Sequence, residues 1–170
     1  PVKTAHIENL GFKKSLASTK VLLMSYSNMK PLDPEAHTHL AKWEKKGGVL
    51  VYSGRDTDPF QTVLEWWNTD GNNYAAASDH LFEKMNIPAA ASAGEYAYGK
   101  GKVVIIRQDP KEYIIQQDGE EDFVKTMMDY ELFKLGVDVK GFNEMLLKRV
   151  LYSSQVSQSE NNTIITLKNC

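Results

Sequence analysis

The chain has 170 residues, 42% of them hydrophobic, which is enough to bury one good core and too little for two full domains. Its 20 Lys and Arg against 22 Asp and Glu leave a formal charge of -2, and the mixing of signs excludes a strongly basic face for nucleic acid or anionic lipid. No apolar run approaches the roughly 20 residues of a membrane-spanning helix, and Cys170 as the sole cysteine excludes an internal disulfide framework or a cysteine-based zinc site.

No signal peptide is visible at a start reading Pro1-Val2-Lys3. That start without Met, and an end at Cys170 straight after the strand-like "NTIITLK", read as a processed or excised piece of something longer. A soluble chain is expected, and a secreted or periplasmic origin with the signal removed stays open.

In chain order, "TKVLLMSYS" is a short apolar run that fits a buried strand over Val21 to Ser25. "LDPEAHTHLAKWEKKGG" follows with helix signals. Asp33 is the N-cap, Pro34 the first helical position, Glu35 lies in the first turn, Lys45 and Lys46 in the last, and Gly47 is the stop. Ala36, Leu40 and Trp43 fall on one face of it. "VLVYS" (49–53) is the next strand, and strand, helix, strand with a crossover of this length predicts a right-handed parallel unit.

"YAAASDHLFEKMNI" predicts a second helix capped by Ser78 or Asp79, burying Leu81, Phe82 and Met85 and stopping at Asn86 before Pro88. "GEYAYGKGKVVIIRQDP" reads as a strand, a glycine turn over Gly99 to Gly101, and an apolar strand Val103 to Ile106. A third amphipathic helix is predicted in "EEDFVKTMMDYELFKLGV", with strands around "MLLKRVLYSS" and "NTIITLK" closing the chain. The Ser, Gln and Asn of "SSQVSQSENN" mark a hairpin turn or a boundary, and "NNT" there is a glycosylation sequon only in a cell that glycosylates.

Several motif-like features carry less than they suggest. Gly94, Gly99 and Lys100 match the opening of a phosphate loop, but Gly101 replaces the Ser or Thr that holds magnesium, and the segment leads into a strand rather than opening a helix. It is read as a hairpin turn. His37 and His39 are two residues apart, on nearly opposite faces of a helix, and are expected as surface or partly packed side chains, not metal ligands. His6 and His80 lack acidic or cysteine neighbours at motif spacing and are read as structural; Met127 and Met128 are read as core. No cofactor and no metal are expected.

Together, "VLLMSYSNMKPLDPEAHTHLAKWEKKGGVLVYSG" and "GEYAYGKGKVVIIRQDP" resemble the class I glutamine amidotransferase-like domain, in the non-catalytic variant appended to glycoside hydrolases such as the beta-galactosidase trimerisation domain. The likeness spans about residues 20 to 115, and "LLKRVLYSSQ" resembles the segment with which such domains run on into a beta-sandwich, with Val150 where a Gly is expected. The resemblance implies a three-layer alpha/beta fold, flavodoxin-like or amidotransferase-like, with a mainly parallel central sheet and a small antiparallel C-terminal extension. Residues 1–145 form that domain and 146–170 a strand extension, the possible start of a further domain.

An active amidotransferase needs a nucleophilic Cys on a strained strand-to-helix elbow. This chain has no Cys before position 170 and neither G-x-C-x-G nor G-x-S-x-G, so no catalytic residue carries over. The expected role is accessory: assembly or docking against a catalytic domain or sister subunit, including a homo-oligomer.

The sharpest candidate site is the loop "SGRDTDPF" after the second strand, with Ser53, Arg55, Asp56, Asp58, Trp66 and Trp67 as its rim. In open alpha/beta sheets ligands gather at carboxyl ends of strands near a topological switch point, where this loop is expected to lie. Arg55 suits a carboxylate or hydroxyl pair, Asp56 and Asp58 suit sugar hydroxyls, and the tryptophans suit stacking on a saccharide. The same residues suit an assembly surface, or a structural role in which Asp56 or Asp58 caps a helix starting at Pro59 and one Trp is core. Hydrolysis would need a second carboxylate from elsewhere, such as Glu65 or Glu95, because the two acids must flank the scissile bond.

Overall fold

The computed structural model describes residues 4–26 and 29–114. The third predicted helix, the last strand pair, residues 146–170 and the single cysteine lie outside the described residues.

Four strands form one mixed sheet in the order β1-β2-β4-β3, with β1 Val21–Met24, β2 Val49–Ser53, β3 Gly94–Tyr98 and β4 Gly101–Ile106. β1, β2 and β4 run parallel, and β3 joins β4 as an antiparallel hairpin. The fold is therefore alpha/beta with a mostly parallel sheet. The first strand stops one residue short of its expected end. The phosphate-loop look-alike is the hairpin turn between β3 and β4, as its context required.

Helix α1 (Glu35–Lys45) connects β1 to β2. Asp33 Oδ1 accepts the backbone N–H of Glu35 at 2.7 Å, satisfying a donor the first turn leaves open. Gly47, at φ 118°, ends the helix where a side chain would be strained, and its N–H donates to Glu44 O at 2.8 Å. Helix α2 (Ala77–Lys84) departs from the expectation that Ser78 or Asp79 would be its N-cap. Ala76 is its N-cap, and Asp79 acts from the third position by accepting the Ala76 N–H. Asn86 stops it in the left-handed region, at φ 57°.

Register explains the core. Leu22, Leu50 and Val103 align across the sheet, as do Met24, Tyr52 and Ile105. These side chains share one face and pack against Leu40 and Ala41 of α1 and Leu81, Phe82 and Met85 of α2. Val49, Val51, Val104 and Ile106, whose side chains alternate to the opposite face, are buried too. A run such as "VLVYS", buried at every position, is the mark of a parallel strand covered on both faces.

The face of α1 expected from Ala36, Leu40 and Trp43 does pack on the core, but the buried stripe is wider and takes in polar groups. Ala36, His37, Leu40, Ala41 and Glu44 are buried, and Trp43 sits half-buried at the margin. Fully enclosed His37 corrects the expectation of a surface or partly packed histidine, which His39, half-buried, does meet. Nor does the loop after β2 lie at a topological switch point. The order β1, β2, β4 advances in one direction among the described residues, with α1 and α2 sharing one core, so the strand order does not reverse there.

The end of α1 sits directly on the hairpin. A Cβ on Gly101 would lie 2.2 Å from Gly48 O and 2.3 Å from Glu44 O, both backbone atoms that cannot swing aside. Gly101→Ala should therefore destabilise the fold by about 2 kcal/mol or more, read as a lower urea midpoint. Beside it, the Glu44 carboxyl is fully enclosed, neither oxygen finds a hydrogen-bond partner among the described residues, and burial pushes it up to about 8. The folded state then holds a proton that the unfolded chain releases near its ordinary value, so this group's contribution falls as pH rises from about 4.5 to 8. Glu44→Met should stabilise the protein by about 1–3 kcal/mol in denaturant titrations at pH 8–9, and by much less at pH 5.

Candidate functional site at the carboxyl ends of the parallel strands

β1, β2 and β4 deliver Tyr26, Asp56 and Arg107 to the same end of the sheet within a few residues of their last paired positions. Two polar networks and an aromatic cluster are built there.

Asp56 is the hub of the first network. It takes a left-handed backbone, φ 59°, which Asp tolerates better than most residues. Its Oδ1 accepts the Tyr52 hydroxyl proton, and its Oδ2 accepts from Ser78 Oγ at 2.8 Å and from Arg107 Nη1 at 2.5 Å. Arg107 also donates from Nε to Ala91 O at 2.8 Å and from Nη1 to Gly54 O, and its guanidinium lies 5.5 Å from the Phe82 ring centroid. One carboxylate thus joins the tips of β2 and β4 to the start of α2. Burial, and then the Asp56 charge, push the Tyr52 phenol well above its ordinary value, so it acts as a donor.

The second network centres on Asp58, which caps the 3₁₀ turn Pro59–Thr62 by accepting the Phe60 N–H at 3.1 Å. The sequence expectation that Asp56 or Asp58 starts a helix at Pro59 is met by Asp58. Lys30 Nζ donates to Asp58 Oδ1 at 2.6 Å and to Tyr26 O at 2.8 Å, and Gln61 Nε2 donates to Asp58 Oδ2 at 2.8 Å. Burial works to raise the Asp58 carboxyl, but the bonds from Lys30 and Gln61 outweigh it and hold the group below its ordinary value.

The remaining expected rim residues are occupied in other ways. Ser53 is buried and donates to Gln108 O at 2.8 Å, so it belongs to the β2–β4 connection rather than to a rim. Exposed Arg55 forms a fork on Glu112, 2.6 and 2.9 Å, which holds α3 (Pro110–Ile114) beside the loop. Trp67 is the core tryptophan, with Nε1 donating to Gln61 O at 3.0 Å. Trp66 is half-buried, its ring at 89° to that of Trp67, and its Nε1 donates to Pro31 O at 2.7 Å. Both indole N–H groups are thus engaged by backbone carbonyls. Glu95 lies on β3 with Lys102 at 3.0 Å, and Glu65 belongs to the turn before the tryptophans.

Sequence reading missed the aromatic cluster beneath this loop. His37 Nε2 meets Tyr26 Oη at 2.7 Å, and His37 Nδ1 meets His80 Nδ1 at 2.9 Å. Trp66 stands edge-on to both imidazoles, with centroids at 5.5 and 5.2 Å, and Tyr74 packs edge-on to His80. The two histidines are 43 positions apart, and no local spacing announces such a pair. Arg107 was missed too, although an arginine directly after a buried run of four aliphatics is the available signal.

A shallow, open depression lined by Lys30, Pro31, Phe60, Val63, Glu65 and Trp67 lies between the loop after β1 and the loop after β2. Met29, Leu32, Phe60, Val63 and Leu64 on these same two loops are exposed, Leu32 and Leu64 at 84% and 80%. Among the described residues no group of three or more His, Cys, Asp or Glu is placed to hold a metal ion, and no helix is long and apolar enough to cross a membrane. No family model, curated protein or solved structure matches the chain.

Removing the Asp56 hub should leave Arg107, Tyr52 and Ser78 without their acceptor. Asp56→Ala should cost about 3–5 kcal/mol in urea unfolding. Asp56→Asn, which keeps a residue suited to the left-handed backbone, should cost distinctly less.

Proposed function

We propose that this chain is a non-catalytic accessory domain of a carbohydrate-active protein, of the three-layer amidotransferase-like kind, that docks against a catalytic domain or a sister subunit through the two loops at the carboxyl ends of its parallel strands. The observation that carries the reading is the division of labour at that end of the sheet. The polar groups best suited to chemistry, Asp56, Asp58, Arg107 and Arg55, are each engaged by a protein partner, while Met29, Leu32, Phe60, Val63 and Leu64 stand exposed beside a shallow depression. A preorganised polar underlay with large apolar side chains above it suits burial against a protein surface.

The mostly parallel sheet with both faces of β2 buried supports the three-layer architecture. The resemblance to domains appended to glycoside hydrolases supports the carbohydrate setting. An amidotransferase activity is not part of the proposal, because the chain has no cysteine before Cys170 to serve as nucleophile.

Light scattering on size-exclusion fractions over a range of concentrations tests the assembly. A dimer or trimer that dissociates in Leu64→Asp and Phe60→Ser, with unchanged circular dichroism, is the expected result. For docking to a catalytic domain, the same variants should lose co-elution with it. Turnover of aryl glycosides by the purified chain, lost in folded Asp58→Asn, would overturn the reading in favour of a hydrolase using the Arg55–Asp58 loop. Tryptophan fluorescence that responds to a saccharide and ceases to respond in Trp66→Phe would overturn it in favour of a glycan-binding module.

A further inference from the structure

We propose that the His37–His80 pair is an acid-sensitive latch, which holds the segment 54–76 against α1 and α2 while the two imidazoles share a single proton and releases that segment when both become charged. The geometry sets this rule. Nδ1 of His37 and Nδ1 of His80 face each other at 2.9 Å, so one must donate and the other accept. On the far side of the ring, His37 Nε2 is engaged by Tyr26 Oη at 2.7 Å, which leaves His37 bonded at both nitrogens and fully buried.

A first proton has a place to go. His80 can donate from Nδ1 to His37 while His37 donates from Nε2 to the Tyr26 oxygen, and the contacts survive. A second proton sets two N–H groups against each other across 2.9 Å.

Among the described residues, only the Glu83 charge favours a protonated pair, and it is outweighed by burial and Lys84. The groups facing the pair are Tyr26 after β1, Trp66 and Tyr74 from the segment 54–76, and Glu83 and Lys84 from α2. Lys84 adds charge of the same sign. Glu83, the carboxylate among them, already accepts the Tyr74 hydroxyl at 2.6 Å. Burial, then the neighbouring His80 and Lys84, pull His37 down to about 3, and burial also lowers His80.

What the latch holds is equally specific. Trp66 and Tyr74 press on the imidazoles, and the Trp66 Nε1 bond to Pro31 O ties the loop after β1 to the same point. Losing that stack frees the part of the chain that carries Phe60, Val63 and Leu64. The latch does not depend on what those apolar side chains meet.

In the released form both histidines titrate near their ordinary value, about 6.5. Below that pH its population should rise by up to about a hundredfold per pH unit, the limit for two protons taken up together.

The test is a titration of the full chain from pH 8 to 4, following tryptophan emission and limited proteolysis with far-ultraviolet circular dichroism in parallel. Emission should shift to the red and cleavage appear within 54–76 below about pH 6 while the dichroism holds. The emission change should be smaller in Trp66→Phe, which leaves the buried Trp67 of the same segment as reporter. His80→Asn places a non-titrating amide where Nδ1 stands, and should move the transition down by about one pH unit or more. Emission and dichroism collapsing together, or an unchanged midpoint in His80→Asn, would overturn the latch. Should His80→Asn fail to fold, imidazole nitrogen shifts of the wild type at pH 7 decide. A proton on only one of the two facing Nδ1 atoms, with at most one ring charged, supports the latch, and two charged rings at that pH refute it.

Discussion

The structure turns on one carboxylate. Three parallel strands end together, and each delivers polar groups to a place where water is largely excluded, so every such group needs a partner or costs about 1–3 kcal/mol. Asp56 meets that demand for Tyr52, Ser78 and Arg107 at once. Because these three come from β2, the start of α2 and the end of β4, the same bonds fix the positions of those elements relative to one another. The left-handed backbone of Asp56 is the local cost of turning the carboxylate inward.

Around this hub the engagement of charge is nearly complete, and the consequences run outward. Asp58 with Lys30 anchors the 3₁₀ turn, Arg55 with Glu112 seats α3, and the two loops also turn Met29, Leu32, Phe60, Val63 and Leu64 to solvent. While the segment 54–76 is held in place, charges paired this closely favour one arrangement of the two loops. That order suits a partner met without much rearrangement.

The fold was legible where the signals are local. Asp33 marks a helix start by its side-chain oxygen, Gly47 and Asn86 mark helix ends by their backbone preferences, and "VLVYS" and "VVII" declare buried strands by composition. The site was legible only in part. Asp58 as a cap and one tryptophan as core follow from neighbours in sequence. Arg107 reaching Asp56 across 51 positions, and His37 reaching His80 across 43, depend on which strand lies beside which. Ser53 illustrates the reverse error: a polar residue at a strand end looked like a rim, but its hydroxyl turns into the sheet to bond Gln108 O. The expected switch point failed for the same reason, since strand order is a property of the assembled sheet.

The pairing of β2 with β4 also bears on how the chain reaches this state. β3 and β4 are neighbours in sequence, joined across Gly99, and such a hairpin closes in roughly microseconds. β2 finds β4 only after α2 and the whole hairpin have intervened, with Val49 meeting Lys102. That contact closes a long loop and carries most of the search entropy. Until it forms, the aliphatic faces of Val49, Val51, Val103 and Ile105 lie open, and two unpaired β strands of this composition are what neighbouring nascent chains would stick to. Among the described residues, the central register of the sheet is therefore the strand pairing of greatest sequence separation, and the one whose delay would expose the chain to aggregation.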